Sequence, residues 1–478
     1  MRNILAIVLI LLLFSSCKKL EELNVNTKDP TTVPGESLFT GAQLALSNIM
    51  VTPNVNRNNF RLFVQHWTEC TYTDEANYEL GDRAIPGNWW NAFYRDVLMN
   101  LKESAKVIQE QGPMVGDAPQ VLPNKLAIIE VLTVYAYSVL VETFGNVPYT
   151  EALDPDIILP KYDDGLTIYK DLLVRLSAAI VSMDQAQASF GGADNMCHGD
   201  VAKWAKFANS LKLRMGMLLA DVDPALAATT VEAAYTAGVI MSQADNALMA
   251  YMSSQPHTNP VNENLVLSGR KDFVMANTLV DYMNELEDPR RPLYFTLTGD
   301  PPAYVGGIYG VQNDYTAFSH VADPITEATF PFDYFDLAEV YFLLAEGAER
   351  GFSVGGTAAE FYEKAITASI EFWGGTAAEA AAYLANPKVA YASATGTWQE
   401  KIGMQKWIGL FNRGFEGWTA YRILDYPILI PPPDAFSVLP LRLTYPAAEQ
   451  TLNPANRAAA AAAIGGDDVG TKLFFDKN

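Results

Sequence analysis

The stretch from Pro123 to Phe144 (PNKLAIIEVLTVYAYSVLVETF) is strongly apolar and opens with a proline suited to the first turn of a helix. A chain that carries it needs a large core, and 478 residues, 49% hydrophobic and 18% charged, can supply one. Apolar residues at helical spacing recur along the chain. They predict helices at Ser37 to Met50, Trp90 to Ile108, Leu166 to Met183, Val201 to Ala220, Pro224 to Ala237 and Phe273 to Leu286. Further ones are expected at Tyr334 to Glu349, Thr357 to Phe372 and Trp398 to Tyr421. Two are close neighbours. AEVYFLLAEGAER and EFYEKAITASI flank a Gly-rich break, and the small Ala and Gly residues of the first let a partner helix approach. A divergent array of helix pairs is expected, not a regular solenoid. Between the helices lie long irregular segments. The longest, Asp288 to Pro331, is crowded with Pro, Gly and Tyr, and the tail after Tyr421 is Pro-rich and poorly helical.

Met1-Arg2, an apolar run from Ile4 to Phe14 and Ser15-Ser16 before Cys17 form a secretory signal, too short to span a bilayer. The cysteine after small residues resembles the lipobox of bacterial lipoproteins, which implies a signal peptide over residues 1–16 and acylation of Cys17. Lys18 to Pro34 is polar and reads as a spacer, so residues 17–34 form a lipidated linker. No later uninterrupted apolar stretch approaches spanning length. The net charge of −22 argues against nucleic-acid binding, and it leaves the lipid, not electrostatics, to hold the chain at a membrane. Cys70 and Cys197 are read as separate, inert thiols.

Several segments carry a family resemblance. FGNVPYTEAL (144–153), PKYDDGLTIYKDLLVRLSAAI (160–180), WAKFANSLKLRMGML (204–218), DPRRPLYF (288–295), AEVYFLLAEGAERG (338–351), QKWIGLFNR (405–413) and LRLTYPAAEQTLNPAN (441–456) occur in order, with GGDDVGTKLFFDKN at the end. Together they resemble the SusD/RagB family of Bacteroidetes outer-membrane lipoproteins, its SusD-like branch in particular. The resemblance implies one mainly α domain over residues 35–478, with tetratricopeptide-like helical pairs forming an α-α superhelix and long irregular loops carrying the ligand site. It also implies a lipid-anchored protein on the outer face of the outer membrane. Such a protein captures a nutrient glycan or similar oligomer and passes it to a SusC-like TonB-dependent transporter.

Sugar rings need flat aromatic platforms with polar groups at their edges. Phe63 to Trp90 offers His66, Trp67, Tyr72, Tyr78, Arg83, Asn88, Trp89 and Trp90. The long loop offers Tyr294, Tyr304, Tyr309, Tyr315 and His320 among Gly299, Gly306, Gly307 and Gly310, which permit unusual backbone angles. The candidate ligand residues are Trp67, Tyr72, Arg83, Asn88, Trp89, Tyr304, Tyr309 and Tyr315. Trp67 equally fits an apolar pattern with Phe60 and Phe63, and Asn88 equally fits a cap or turn. Of Trp89 and Trp90, one is expected in the core and Trp89 to be the free one.

Catalytic motifs are missing. His66, His198, His257 and His320 have no metal-ligand spacing, no G-x-S-x-G elbow occurs, and no cofactor is called for. The acidic pairs Asp154/Asp156, Asp163-Asp164 and Asp467-Asp468 read as caps and turns. Asp154-Pro-Asp156 could offer oxygens to Ca²⁺ but lacks the rest of such a loop. A non-catalytic binding protein is the leading expectation. A surface glycoside hydrolase with a helical body, or a helical protein-binding scaffold, is the alternative.

Overall fold

The computed structural model describes residues 33–477, so the signal peptide, Cys17 and nearly all of the spacer lie outside the described residues. The helices are α1 (Gly35–Val51), α2 (Ile85–Asn91), α3 (Met99–Gln111), α4 (Val121–Phe144), α5 (Gly165–Ser182), α6 (Val201–Leu218) and α7 (Pro224–Ala237). They continue as α8 (Asn277–Glu285), α9 (Leu337–Glu349), α10 (Ala358–Phe372), α11 (Ala377–Leu384), α12 (Trp398–Gly409), α13 (Gly414–Leu424) and α14 (Pro454–Ala463). Helices α2 and α3 are joined through a π-helical segment, Ala92–Leu98, so the expected single helix is present with a widened turn inside it.

Helix α4 is apolar around most of its circumference, and a helix of that kind has to be covered on all sides. It packs on α3, α5 and α6, with Ile128, Leu132, Tyr135, Leu140 and Phe144 wholly buried. By length and hydropathy alone it could cross a membrane; here it is the centre of the core. Successive helices pack as neighbours: α4 on α5, α6 on α7, α9 on α10, and α12 on α13. Helix α6 also packs on α9, so the helical array continues across the intervening chain from Gly238 to Asp336. This is the mainly α, tetratricopeptide-like architecture expected. Caps follow local chemistry. Asp164 accepts from Thr167 N at the start of α5, and Thr357 with Glu360 forms a capping box on α10.

Three expectations about elements change. Phe273–Met275 is a strand, not the start of a helix; it pairs antiparallel with Trp67–Glu69, and α8 begins only at Asn277. The long helix expected from Trp398 to Tyr421 is broken between α12 and α13, where Asn412 adopts a left-handed conformation (φ 66°) and Gly414 lies against the Phe60–Arg61 backbone. Phe332–Phe335, placed partly within a helix, is a strand paired with Ala247–Met249. Each strand is set by a partner far away in sequence, which local periodicity does not report. The tail also contains α14, which its Pro-rich surroundings concealed.

Candidate functional site

The site is built on the two-stranded sheet of β1 (Trp67–Glu69) and β5 (Phe273–Met275), as the expected loops fold over it. Strand period puts Trp67 and Glu69 on one face with their cross-strand partners Met275 and Phe273. The Trp67 and Phe273 rings lie 5.6 Å apart. The other face of the sheet turns to the long loop, where Gly310 N donates to Thr68 Oγ1 at 3.2 Å. Gly310 needs its positive φ of 77°, whereas Gly306 is there for space: a Cβ on it would stand 2.4 Å from Asn277 Cα.

Trp67, Phe273 and Met275 line a cavity of about 150 Å³, closed by Leu265, Val266, Arg270, Asp272 and, from the long loop, Thr296, Tyr315, His320 and Asp323. Tyr315 and His320 form a stacked pair, 3.8 Å between centroids and 14° between planes. His320 Nε2 lies 2.6 Å from Tyr315 O, and the Lys271 ammonium lies 5.3 Å from the Tyr315 ring. Trp67 is buried, with the Arg61 guanidinium 5.2 Å from its ring, and its indole N–H has no acceptor among the described residues.

Arg270, Asp272 and Phe273 are shared with a smaller recess of about 30 Å³, which Tyr72, Arg83, Glu69, Glu75 and Val55 complete. Tyr72 is 62% exposed at its rim. Arg83 pairs with the buried Glu75, and Arg270 with Asp272. Burial, and then the neighbouring Glu75 charge, push the Glu69 carboxyl well above the usual carboxylate range; burial likewise raises Glu75, which bonds Glu69.

The fold thus brings Trp67, Tyr72, Arg83 and Tyr315 into two adjoining recesses, and it places the other candidates elsewhere. Asn88 donates to Asn56 O (2.8 Å) and Arg83 O (3.0 Å), so its amide ties the loop that carries Arg83 to the segment of Asn56. Trp89, expected to be the free member of its pair, is 0% exposed, packed on Phe60, Phe93 and Phe415. Trp90 is buried too, against Phe144 and Tyr162, because α2 is sandwiched between aromatic clusters from distant segments. Tyr309 is 6% exposed and donates to Leu62 O at 2.8 Å, which anchors the loop to the core. Tyr304 is half-buried, against Phe295 and Arg291. Arg270, Asp272 and Phe273 escaped the sequence reading. Arg270 and Asp272 carry no motif, and Phe273 was assigned to a helix.

Elsewhere the acidic pairs cap and brace. Asp163 accepts from Thr150, and Asp467 pairs with Arg442 and Arg457. Among the described residues no group of three or more His, Cys, Asp and Glu is placed to hold a metal ion, and Asp154 accepts from Asp156 N in a turn. Cys70 and Cys197 are free and buried.

A tetratricopeptide-like helical body whose inserted loops carry an aromatic recess defines the SusD class of fold. The chain belongs to the SusD-like family, whose model, described as "Starch-binding associating with outer membrane", matches residues 26–446. Among solved structures it is similar to a chitin-binding protein at 28% identity (TM-score 0.80, covering 93% of this chain and 100% of that one). It is also similar to a chitin-binding SusD homolog from Flavobacterium johnsoniae at 25% identity (TM-score 0.78, 92% and 99% covered). A third is a SusD homolog from Bacteroides thetaiotaomicron at 25% identity (TM-score 0.76, 94% and 100%). No curated protein matches the chain.

Proposed function

We propose that this protein captures a nutrient glycan at the outer membrane without cleaving it. The ligand enters the recess between the β1–β5 sheet and the long loop. The observation that carries this reading is the Tyr315–His320 stack facing Trp67 across a cavity ringed by Arg270, Asp272 and Asp323. Aromatic faces suit the C–H face of a sugar, and charged groups at the edge suit its hydroxyls. The family description and the two chitin-binding relatives support a glycan, of the starch or chitin type, as the first ligand to test. Binding without hydrolysis is favoured because the family is described by what it binds.

The wider role follows from the resemblance and the N-terminal segment. Cys17 carries a lipid that holds the protein on the outward face of the outer membrane. The captured glycan then passes to a SusC-like TonB-dependent transporter.

Titration of the protein with maltohexaose and chitohexaose tests the site. Tyr315→Ala should weaken binding about three- to tenfold, in keeping with about 0.5–1.5 kcal/mol for an aromatic contact. Reducing ends released on long incubation, or affinity unchanged in the variant, would overturn the reading.

A further inference from the structure

We propose that a second ligand site, for one neutral polyhydroxylated ring, lies in the helical array, apart from the loop-borne recess. It is an open cavity of about 420 Å³, larger than the recess at Trp67 and within the roughly 300–1,000 Å³ typical of small-molecule sites. The C-terminal end of α8 supplies Tyr282 and Glu285, and the start of α12 supplies Glu400, Lys401 and Met404; the loop from Pro387 to Thr395 closes the third side. Strand β5 runs into α8, a helix about 13 Å long; Met275 just before it lines the first cavity, and Tyr282 and Glu285 toward its end line the second.

The chemistry of the walls selects the ligand. Tyr282 is half-buried, and its hydroxyl makes no hydrogen bond to any described residue. Burial, with the Glu285 and Glu400 charges nearby, pushes that hydroxyl up to about 12, so it stays a neutral donor. With Met404 beside it, the ring offers an apolar platform. Two acids and two lysines line the cavity, so their formal charges cancel. Both lysines are partly engaged: Lys388 pairs with Glu285 at 2.8 Å, and Lys401 donates to Tyr391 O at 2.9 Å. Glu400, Ser393 and Thr395 remain as acceptors and donors for hydroxyls at the edge. A neutral ring with several hydroxyls satisfies these groups without adding charge to a lining whose formal charges cancel.

Glucose and N-acetylglucosamine are the probes, titrated by NMR against the full chain and soaked into its crystals. Density for one of them over Tyr282 is expected. Tyr282→Ala and the cavity-filling Ala394→Trp should each weaken that binding at least about tenfold, and Tyr315→Ala should leave it unchanged. If neither sugar occupies the cavity in soaked crystals, or if Tyr315→Ala alone removes all binding, the second site is refuted while the first stands. If monosaccharide binding survives Tyr315→Ala and is lost with Ala394→Trp, the second site stands, and the first is judged separately by hexaose binding to Tyr315→Ala.

Discussion

His66 lies wholly buried between Trp407 and Phe411, with Nε2 3.1 Å from Trp407 O. Burial pulls its pKa down to about 3, helped by the Arg61 charge and opposed by the Trp407 bond. The unfolded chain takes up this proton near pH 6.5 and the folded chain only near 3, so the group's contribution to stability is full above 6.5 and lost as pH falls through that window. At pH 5 the loss is about 2 kcal/mol. Glu142, raised to about 7 chiefly by burial, works in the opposite direction, so the test is a comparison. Urea midpoints should fall less from pH 7 to 5 in His66→Gln than in the parent, and parallel changes in the two would refute the assignment. The same neighbourhood marks the limit of reading residues one by one. Tyr315 was legible as a ligand candidate because it sits in a loop without periodicity. Trp89 was misjudged because what covers it, Phe60 and Phe415, is remote in sequence.

Helices α6, α9 and α13 are locked together by ions. Arg214 on α6 grips Glu339 on α9 through two hydrogen bonds of 2.7 and 2.8 Å, and Arg413, at the start of α13, donates to the same carboxylate. Burial pushes Glu339 up, but the two guanidinium groups outweigh it and hold the pKa at about 2. Removing this charge leaves two buried cations underpaired. Glu339→Gln should therefore cost about 3–5 kcal/mol, read from urea unfolding, and a cost below about 1 kcal/mol would show that the cluster adds little. The helices themselves were visible in 3.6-residue periodicity, and Asp164 as a cap through the reading of adjacent acids as caps and turns. The strand Phe273–Met275 was not, because three apolar residues leading into a helix look like its first turn; only the ladder to Trp67–Glu69 makes them a strand.

On the scale of the molecule, the helical array is interrupted between α7 and α9, and that interruption carries Phe273–Met275 and the long loop of the recess; the partner strand, Trp67–Glu69, comes from between α1 and α2. Attachment to the membrane is a separate matter, proposed above for Cys17, which lies outside the described residues. Cys17→Ser should move the protein from the membrane fraction to the soluble fraction, since an acidic body has little attraction for anionic lipid. Retention in the membrane would point to another anchor. Co-purification of a large β-barrel with the parent protein would support delivery to a transporter, and its consistent absence would count against it.

The sequence by itself determined the helical body, the long loops that interrupt it and the family, because periodicity, turn residues and ordered motifs are local signals that survive without coordinates. Only the tertiary structure decided which aromatics end in the core and which line a cavity. It closed Trp89 and Tyr309 into the interior, set Trp67 beside Tyr315 and added Arg270 and Asp272. The physical reason is that burial depends on what packs against a side chain, and here the packing partners lie hundreds of residues apart, as Trp89 and Phe415 do.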